Sequence, residues 1–553
     1  MLDKIARYYN TLKYLKPTQL TGQLKKGFSL RTVPRIPTFS GCPIDRPMTL
    51  IPDLDLDSVY LARFDVDSLM NNTVTLHYET HFLDVSTWTV EASALWRFNL
   101  HYFEYAISLS VSFNKRGAIC YYSKFKELVL SWIKANPIGK GDSWHPYTIS
   151  MRLPNWFICF DLFGQAFETD VAFKETVYES IYAQYQVLLK RKETWQLGNH
   201  YFENLKTILL CSLLFDEQRV YDKHIQLFLR EVDEEVLSDG VHFELSIMYH
   251  KVILEGVIRV TYWLKQAKKP QYIDLLPVIL RMTDAVASLE SGMGKTPLFN
   301  DSGDGVAKES SSLLKAANEL FNITPHFADS FPASGYYKLY DGDIALMFDA
   351  GEIGPRYMTG HGHCDCLSFE LSVNGSPLFV NSGTYQYQGE LRKYFRSTSA
   401  HNTLIIGDRE QSECWGEHRV ARRINNVKVE KNGQLIKGSY RSYLGDTHVR
   451  IISLVDRTLT VLDSVSVAEP AIVHSYLHLA NSYNIVAIDG SLIVLDGKRK
   501  ICAIKPVEAG YFVHTSGNLA YYAQMFGRLT QTSCIEFIWY TDDRQHGYVI
   551  QIY

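Results

Sequence analysis

A chain of 553 residues exceeds what one hydrophobic core usually supports, so two or more domains are expected. Its 46% hydrophobic and 21% charged residues describe a folded globular protein and exclude a disordered one. The net charge of −4, from 56 basic against 60 acidic side chains, gives no electrostatic case for a nucleic-acid partner.

The chain opens on a basic stretch, with Lys4, Arg7, Lys13, Lys16, Lys25 and Lys26 against Asp3. Leu2, Ile5, Tyr9, Leu12 and Leu15 recur at roughly helical spacing, which suits either a helix packed on its own protein or one resting on an anionic membrane surface. No apolar signal region, cleavage site or membrane-spanning run stands out, so the expected location is cytoplasmic, with peripheral contact at the inner membrane through the basic N-terminus as the second reading. Residues 31 to about 58 are proline-rich and aperiodic, an extended connector that completes an N-terminal segment 1–58.

From 59 to about 330 the apolar period is helical. Tyr121 to Ala135 has apolar positions three and four apart and stops before Asn136-Pro137. Similar patterns cover 155–168, 172–191, 201–215, 220–236, 246–267, 271–290 and 309–321. So many successive helices imply helical hairpins in a bundle, solenoid or toroid. From 335 to 553 the period shifts towards two, with strands expected at 345–348, 367–373, 376–380, 403–406, 449–454, 458–462, 472–477, 492–495 and 535–540. Turn signals such as Asn374-Gly375 and Asp489-Gly490 separate several of them, as in a large β-sandwich. The nine scattered cysteines fit reduced thiols, and Cys364 and Cys366 read as small buried residues sharing one strand face.

The densest chemistry lies in Gly360-His361-Gly362-His363-Cys364-Asp365, which precedes an apolar run, with His401 following in Arg396 to Asn402. On a strand, residues i and i+2 share a face, so His361 and His363 are expected to look into one site, one handling a proton and the other a metal. The helical half adds clusters at Trp96 to Tyr105, at Trp144-His145-Pro146-Tyr147 with Arg152, at Trp195 to Asn204, and at Asp239 to Glu244 followed by Met248-Tyr249-His250. Each alone reads as a core aromatic with a satisfied neighbour. Together, near helix starts and loops, they point to a site at one end of the helical array. The 13% aromatic content, with 35 Tyr, suits stacking on sugar rings as well as core packing.

These motifs, in their order, resemble those of the heparinase II/III-like polysaccharide lyases and the related alginate lyases. The resemblance rests on Trp96 to His101, Gly198 to Glu203, Asp239 to His250, Gly360 to Phe369, Ser382 to Tyr385 and Tyr394 to Asn402. It implies an N-terminal incomplete (α/α) toroid followed by a C-terminal antiparallel β-sandwich, in line with the helix-then-strand pattern. It also implies β-elimination at a uronic acid. That reaction must offset the carboxylate charge beside C5, remove the C5 proton and protonate the departing O4. By the resemblance Asn199 neutralises the carboxylate, His200 and His361 assist or transfer protons, and Tyr249 acts as base, acid or both. Trp96, Asn99, His101 and Trp144 line the cleft, with Glu203 and Glu244 as further substrate-binding candidates. Arg392 and Arg396 are candidates for substrate carboxylates, with surface ion pairs as their other reading.

The family's metal site corresponds to His363, residue 381 and His401. This chain has Asn381 where an aspartate is usual, so zinc binds weakly, recruits Asp365, or is absent. The Trp96 to Tyr105 form resembles members associated with bacterial capsule or O-antigen synthesis, which implies a uronate-containing surface polysaccharide as substrate. Two other outcomes stay open: a uronate C5-epimerase using the same proton abstraction, and a non-catalytic glycan-binding or assembly protein. A hydrolase lacks an obvious carboxylate pair, although Glu203 and Glu244 keep it in view.

Overall fold

In a computed structural model that describes residues 2–29, 32–43, 49–481 and 483–553, the last helix of the helical half ends at Phe321 and the first sandwich strand begins at Ser330. The helix Ile119–Ala135 buries Phe125, Leu128, Val129 and Trp132 and stops one residue before Asn136-Pro137, as the proline rule requires. Gly198–Leu214 packs against Gln218–Glu235 and Pro146–Phe163, and Ile247–Gln266 against Tyr272–Glu290. A continuous apolar cluster fills the space between these helices.

The helix expected to start at residue 155 begins at Pro146 and runs through Pro154. A proline there leaves the Ser150 carbonyl without its helical partner. Thr207 Oγ1, on a neighbouring helix, donates to that carbonyl at 2.8 Å, so the break the sequence suggests does not occur. A hairpin not expected in this half pairs Thr73–Leu76 with Glu79–Phe82, and its two turn residues, His77 and Tyr78, both have positive φ.

The C-terminal half is antiparallel throughout its named strand pairs. One sheet contains Ser330–Phe331, Tyr336–Asp341, Ile344–Asp349, Phe369–Val373 and Ser376–Phe379 in sequence order. In the eight-stranded sheet, His546–Ile552 inserts between Thr458–Ser466 and Arg499–Val507. A four-stranded sheet orders Gly510–His514, Cys534–Tyr540, Ile472–His478 and Leu404–Ile406. Inward-facing residues from all three sheets form one apolar core. The fold is the expected toroid-like helical array and β-sandwich. Among the strands that the sequence reading missed, Tyr336–Asp341, Leu435–Arg441, Arg499–Val507 and His546–Ile552 are interior to their sheets, whereas Asn425–Asn432, Asn484–Ile488 and Gly510–His514 lie at sheet edges. There few side chains are buried and the apolar alternation fades.

The basic N-terminus forms helices Leu2–Leu12 and Pro17–Ser29 that straddle both halves. Arg7 pairs with Glu413 at 2.7 Å, Lys16 with Glu234, and the Gln19 amide donates to the Tyr357 carbonyl at 3.2 Å. Gly22 is pressed so closely on Trp195 that a Cβ would lie 2.9 Å from its backbone nitrogen. Of the two readings of this segment, packing on its own protein is the one seen. The connector expected over 31–58 is irregular at 32–43 and ends in short helices Pro52–Asp55 and Ser58–Leu61, while residues 31 and 44–48 lie outside the described residues. No described helix is long and apolar enough to cross a membrane.

If Thr207 is what permits Pro154, Thr207→Val leaves a buried carbonyl unsatisfied and costs about 1–3 kcal/mol. Chemical denaturation should show that loss, whereas Thr176→Val, on an exposed helix face, should leave the midpoint within error.

Candidate active site

Leu197 and Gly198 both carry positive φ where the chain turns into the helix Gly198–Leu214. A Cβ on Gly198 would meet Met358 Cε at 2.2 Å and Glu244 Oε1 at 3.0 Å, so glycine lets this helix start press against both Met358 and Glu244. Asn199 and His200 follow in the first turn. His200 Nδ1 is bonded to Glu193 Oε1 at 2.9 Å, and its ring stacks on Tyr147 at 4.1 Å. Glu193 is buried and also accepts from Asn204 Nδ2 at 3.1 Å, while His145 Nε2 lies 3.7 Å away. Burial pushes Glu193 up, but His200 and these neighbours more than offset it and hold the carboxyl below its ordinary 4.5. A carboxylate on Nδ1 fixes the proton there and leaves Nε2 as the lone-pair nitrogen of His200.

Tyr249 comes from the first turn of the helix Ile247–Gln266, and His361 from the sandwich half. Their rings stack at 4.0 Å with planes 8° apart. His361 Nδ1 is bonded to the buried Glu244 carboxylate. Burial would lower His361, but Glu244 overrides it and raises the imidazole above 6.5. The Tyr249 hydroxyl shares a 2.9 Å hydrogen bond with the Tyr387 hydroxyl. Burial first, then Tyr387 and Asp301, push the Tyr249 phenol well above 10. Asn199, His200, Tyr249, His361 and Glu244 thus gather where helices meet sandwich.

The expectation that His361 and His363 share a strand face is corrected. Residues 360–368 form a loop, and the strand begins only at Phe369. His361 faces Tyr249, whereas His363 is buried with its Nε2 2.8 Å from Asp301 Oδ1. For the same reason Cys364 packs beside Ile353 and Val420 while Cys366 joins the sandwich core, so both are buried without sharing a face.

Asp301 organises this loop. Its carboxylate is gripped in two-point fashion by Arg392, with Nη2 to Oδ2 at 2.7 Å, and accepts from His363 and from Thr384 Oγ1 at 3.2 Å. Its N–H donates to the His361 carbonyl at 3.0 Å. Its carbonyl accepts from Ser246 Oγ at 2.7 Å, and Ser246 caps the helix bearing Tyr249. Arg392 and Arg396, expected as substrate ligands, are instead buried and hold backbone carbonyls. Arg392 binds Gly360 and Glu417, and Arg396 binds Gly362, Glu417 and Thr359.

The expected cleft lining is corrected in part. Trp96 Nε1 donates to the Glu79 carbonyl at 3.1 Å and Trp144 Nε1 to the Asn136 carbonyl at 3.1 Å, and both indoles are core. His101 accepts from Trp132 Nε1 at 3.2 Å, with burial and Arg152 pushing it down to about 3. Glu203 is buried and paired with Lys206 at 2.5 Å within its own helix. Of this group Asn99 reaches a cavity. Sequence reading missed Glu193, Tyr387 and Asp301. Tyr387 follows the Ser382 to Tyr385 motif by two residues, and Asp301 lies in the turn-like Asn300 to Gly305 run; Glu193 carried no signal.

His363, Asp365 and His401 offer ligand atoms all within 4.8 Å of one another, so these residues can hold a metal ion. His363 Nδ1 and both nitrogens of His401 are buried without a partner, and His363 Nε2 rests on a carboxylate, as metal-bound histidines commonly do. Burial keeps His363 neutral, at about 4, which is the ligating form. Asn381, expected in the third position, instead accepts from the Asn402 N–H through Oδ1 at 3.2 Å, and Asp365 supplies the carboxylate.

The heparinase II/III N-terminus family model matches residues 61–328, and the heparinase II/III-like C-terminal model matches 324–532. A heparin-sulfate lyase of Bacteroides stercoris is 22% identical over 477 residues, spanning 74% of this chain and 69% of its own length. One from Pedobacter heparinus is 22% identical, over 58% of this chain and 53% of its own. Among solved structures, heparinase III superposes with a TM-score of 0.70 at 17% identity, covering 96% of this chain and 89% of that one. A heparan sulfate lyase of Pedobacter heparinus gives 0.63 at 17%, covering 97% and 88%.

Glu193 offers a test of the site's electrostatics. Its depressed pKa contributes stability that is full above 4.5 and lost as pH falls through its lower folded value. Glu193→Gln should therefore cost about 1–3 kcal/mol at pH 7. The gap from wild type should close in denaturation measured well below pH 4.5.

Proposed function

This chain belongs to the heparinase II/III-like family, and from that premise we propose that it is a lyase cleaving a uronic-acid-containing polysaccharide by β-elimination. The observation that carries the proposal is the stacking of Tyr249, from the helices, on His361, from the sandwich, with Asn199 and His200 at the adjoining helix start.

The substrate carboxylate resists ionisation at C5, so its charge must first be offset. Asn199 supplies an amide donor, and His361, paired through Nδ1 with the buried Glu244, supplies a cationic one. His200 is the base. With its Nδ1 proton anchored on Glu193, Nε2 accepts the C5 proton. The C5–H electron pair becomes the C4–C5 double bond, and the C4–O4 bond breaks. Tyr249, kept a phenol by burial, is the acid that protonates O4, and Tyr387 holds its hydroxyl in place. The proton on His200 and the vacancy on Tyr249 reset through solvent.

A bacterial surface polysaccharide is the proposed substrate, from the form of the Trp96 to Tyr105 motif. Two imidazoles and a carboxylate suit zinc, which would be held by His363, Asp365 and His401. When bound it would supply cross-linking between the catalytic loop and the His401 segment, a structural role.

Incubation with uronate-containing polysaccharides should raise the ultraviolet absorbance of an unsaturated uronate. Tyr249→Phe and His200→Ala should each lower kcat about 10²–10⁴-fold. An undiminished rate in either removes that residue from its role. Solvent deuterium entering C5 without chain shortening would identify an epimerase, and retained binding with neither reaction a glycan-binding protein. Separately, zinc at about 100 times its Kd should stabilise metal-stripped protein by about 2.7 kcal/mol. The gain should vanish in His401→Ala; no gain in wild type would remove the zinc assignment.

A further inference from the structure

The N-terminal helix Leu2–Leu12 is seated on the protein by its polar side. Arg7 pairs with Glu413, and Thr11 Oγ1 accepts from Trp415 Nε1 at 3.0 Å. Ile5, Tyr8, Tyr9 and Leu12, three and four residues apart, form a stripe on another side of the helix. All four are exposed, Ile5 at 60% and Tyr9 at 66%, although Tyr8 also touches Trp415 edge-on at 5.2 Å. A surface helix ordinarily buries such a stripe and turns its polar side to water, so this mounting is the reverse of the usual one. The next helix, Pro17–Ser29, repeats it. Gln19 and Gly22 meet the protein, while Leu20 and Leu24 face outward, Leu24 at 83%.

The charges around the stripe define what covers it. At about 100° of turn per residue, Lys4 and Lys13 fall on its two borders, and both are exposed. Lys25 is exposed next to Leu24, and exposed Arg419 lies over the Trp415 ring at 4.8 Å. Arg7 and Lys16 are held by Glu413 and Glu234, so those two cations fix the helices to the protein. A second copy of the same face would set lysines against lysines across a two-fold contact. An anionic bilayer instead offers phosphates at the level of the lysine tips, acyl chains to the aliphatic residues and an interface that suits tyrosine rings. The helices also adjoin the catalytic loop. Trp415 lies on the ribbon that pairs Cys414–Trp415 with Arg419–Val420, and Arg392 and Arg396 both hold the Glu417 carbonyl between those strands.

We propose that the two N-terminal helices dock the protein on an anionic lipid bilayer, with Ile5, Tyr8, Tyr9, Leu12 and Leu24 in the interface and Lys4, Lys13 and Lys25 on the headgroups. Vesicle binding is read without turnover, so its outcome is independent of the lyase reading. Co-sedimentation of the full chain would compare vesicles of phosphatidylcholine alone with vesicles holding about 30 mol% phosphatidylglycerol. The anionic vesicles should bind at least about tenfold more tightly, and about 0.5 M salt should remove most of that difference. The double variant Ile5→Ser/Leu12→Ser should weaken binding at least about tenfold, and Lys4→Glu/Lys13→Glu should do the same. Both should keep the wild-type melting temperature, because these side chains are exposed. Val171→Ser, at an exposed apolar residue of the helix Val171–Lys190, should bind as the wild type does. No binding to anionic vesicles, equal binding to neutral ones, or unchanged affinity in both double variants would overturn the docking surface. So would an equal loss in Val171→Ser, which would mean nonspecific adhesion. A concentration-dependent dimer lost in Ile5→Ser/Leu12→Ser, in protein that ignores vesicles, would overturn it as well and give the face to a second copy.

Discussion

The buried ion pair between Asp301 and Arg392 is the constraint on which the site depends. Both side chains are fully excluded from solvent, a placement that is unfavourable unless geometry and extra hydrogen bonds offset the desolvation. Here the offset is complete on the acidic side, where Arg392, His363 and Thr384 all meet the carboxylate. The same residue fixes backbone in both halves of the protein, through the His361 carbonyl and through Ser246 at the start of the Tyr249 helix. The stacking of Tyr249 on His361 is therefore a consequence of one acidic residue between the helices and the sandwich, with Arg392 also holding the Gly360 carbonyl.

Around that centre the site uses the same pairing twice, with different results. Each candidate histidine has a carboxylate on Nδ1, Glu193 for His200 and Glu244 for His361. His200 stays partly exposed, whereas His361 lies against a phenol. Burial keeps Tyr249 protonated, so its hydroxyl enters the site as a phenol and not as a phenolate. The difference between the two pairs comes from environment, because the residue types alone are the same. Arg63 is likewise a cation paired within the protein, with Glu104.

The succession of a helical half and a strand-rich half was legible because apolar periodicity is a local property, and the short motifs singled out Asn199, His200, Tyr249 and His361, which the fold brings near one another. Legible too was the histidine–carboxylate group, since Asp365, named as the alternative to residue 381, is the carboxylate that lies with His363 and His401. What escaped was whatever depends on a partner far along the chain. The helix read as starting at 155 runs back through Pro154 to Pro146, with Thr207 from another helix meeting the Ser150 carbonyl. Arg392 and Arg396 read as ligand arginines until their carbonyl partners are known. Trp96 and Trp144 read as sugar platforms until each indole N–H finds a backbone carbonyl.

By itself, then, the sequence determined the two-part architecture and the motif-borne groups of the site, since apolar spacing fixes which faces must be buried and short motifs fix which groups sit at helix starts. Only the tertiary structure decided which of those groups face a ligand and which are spent holding the fold. Hydrogen bonds and ion pairs across hundreds of residues consume donors that appear free in sequence, and burial, which no short window records, sets whether a phenol or an imidazole carries its proton.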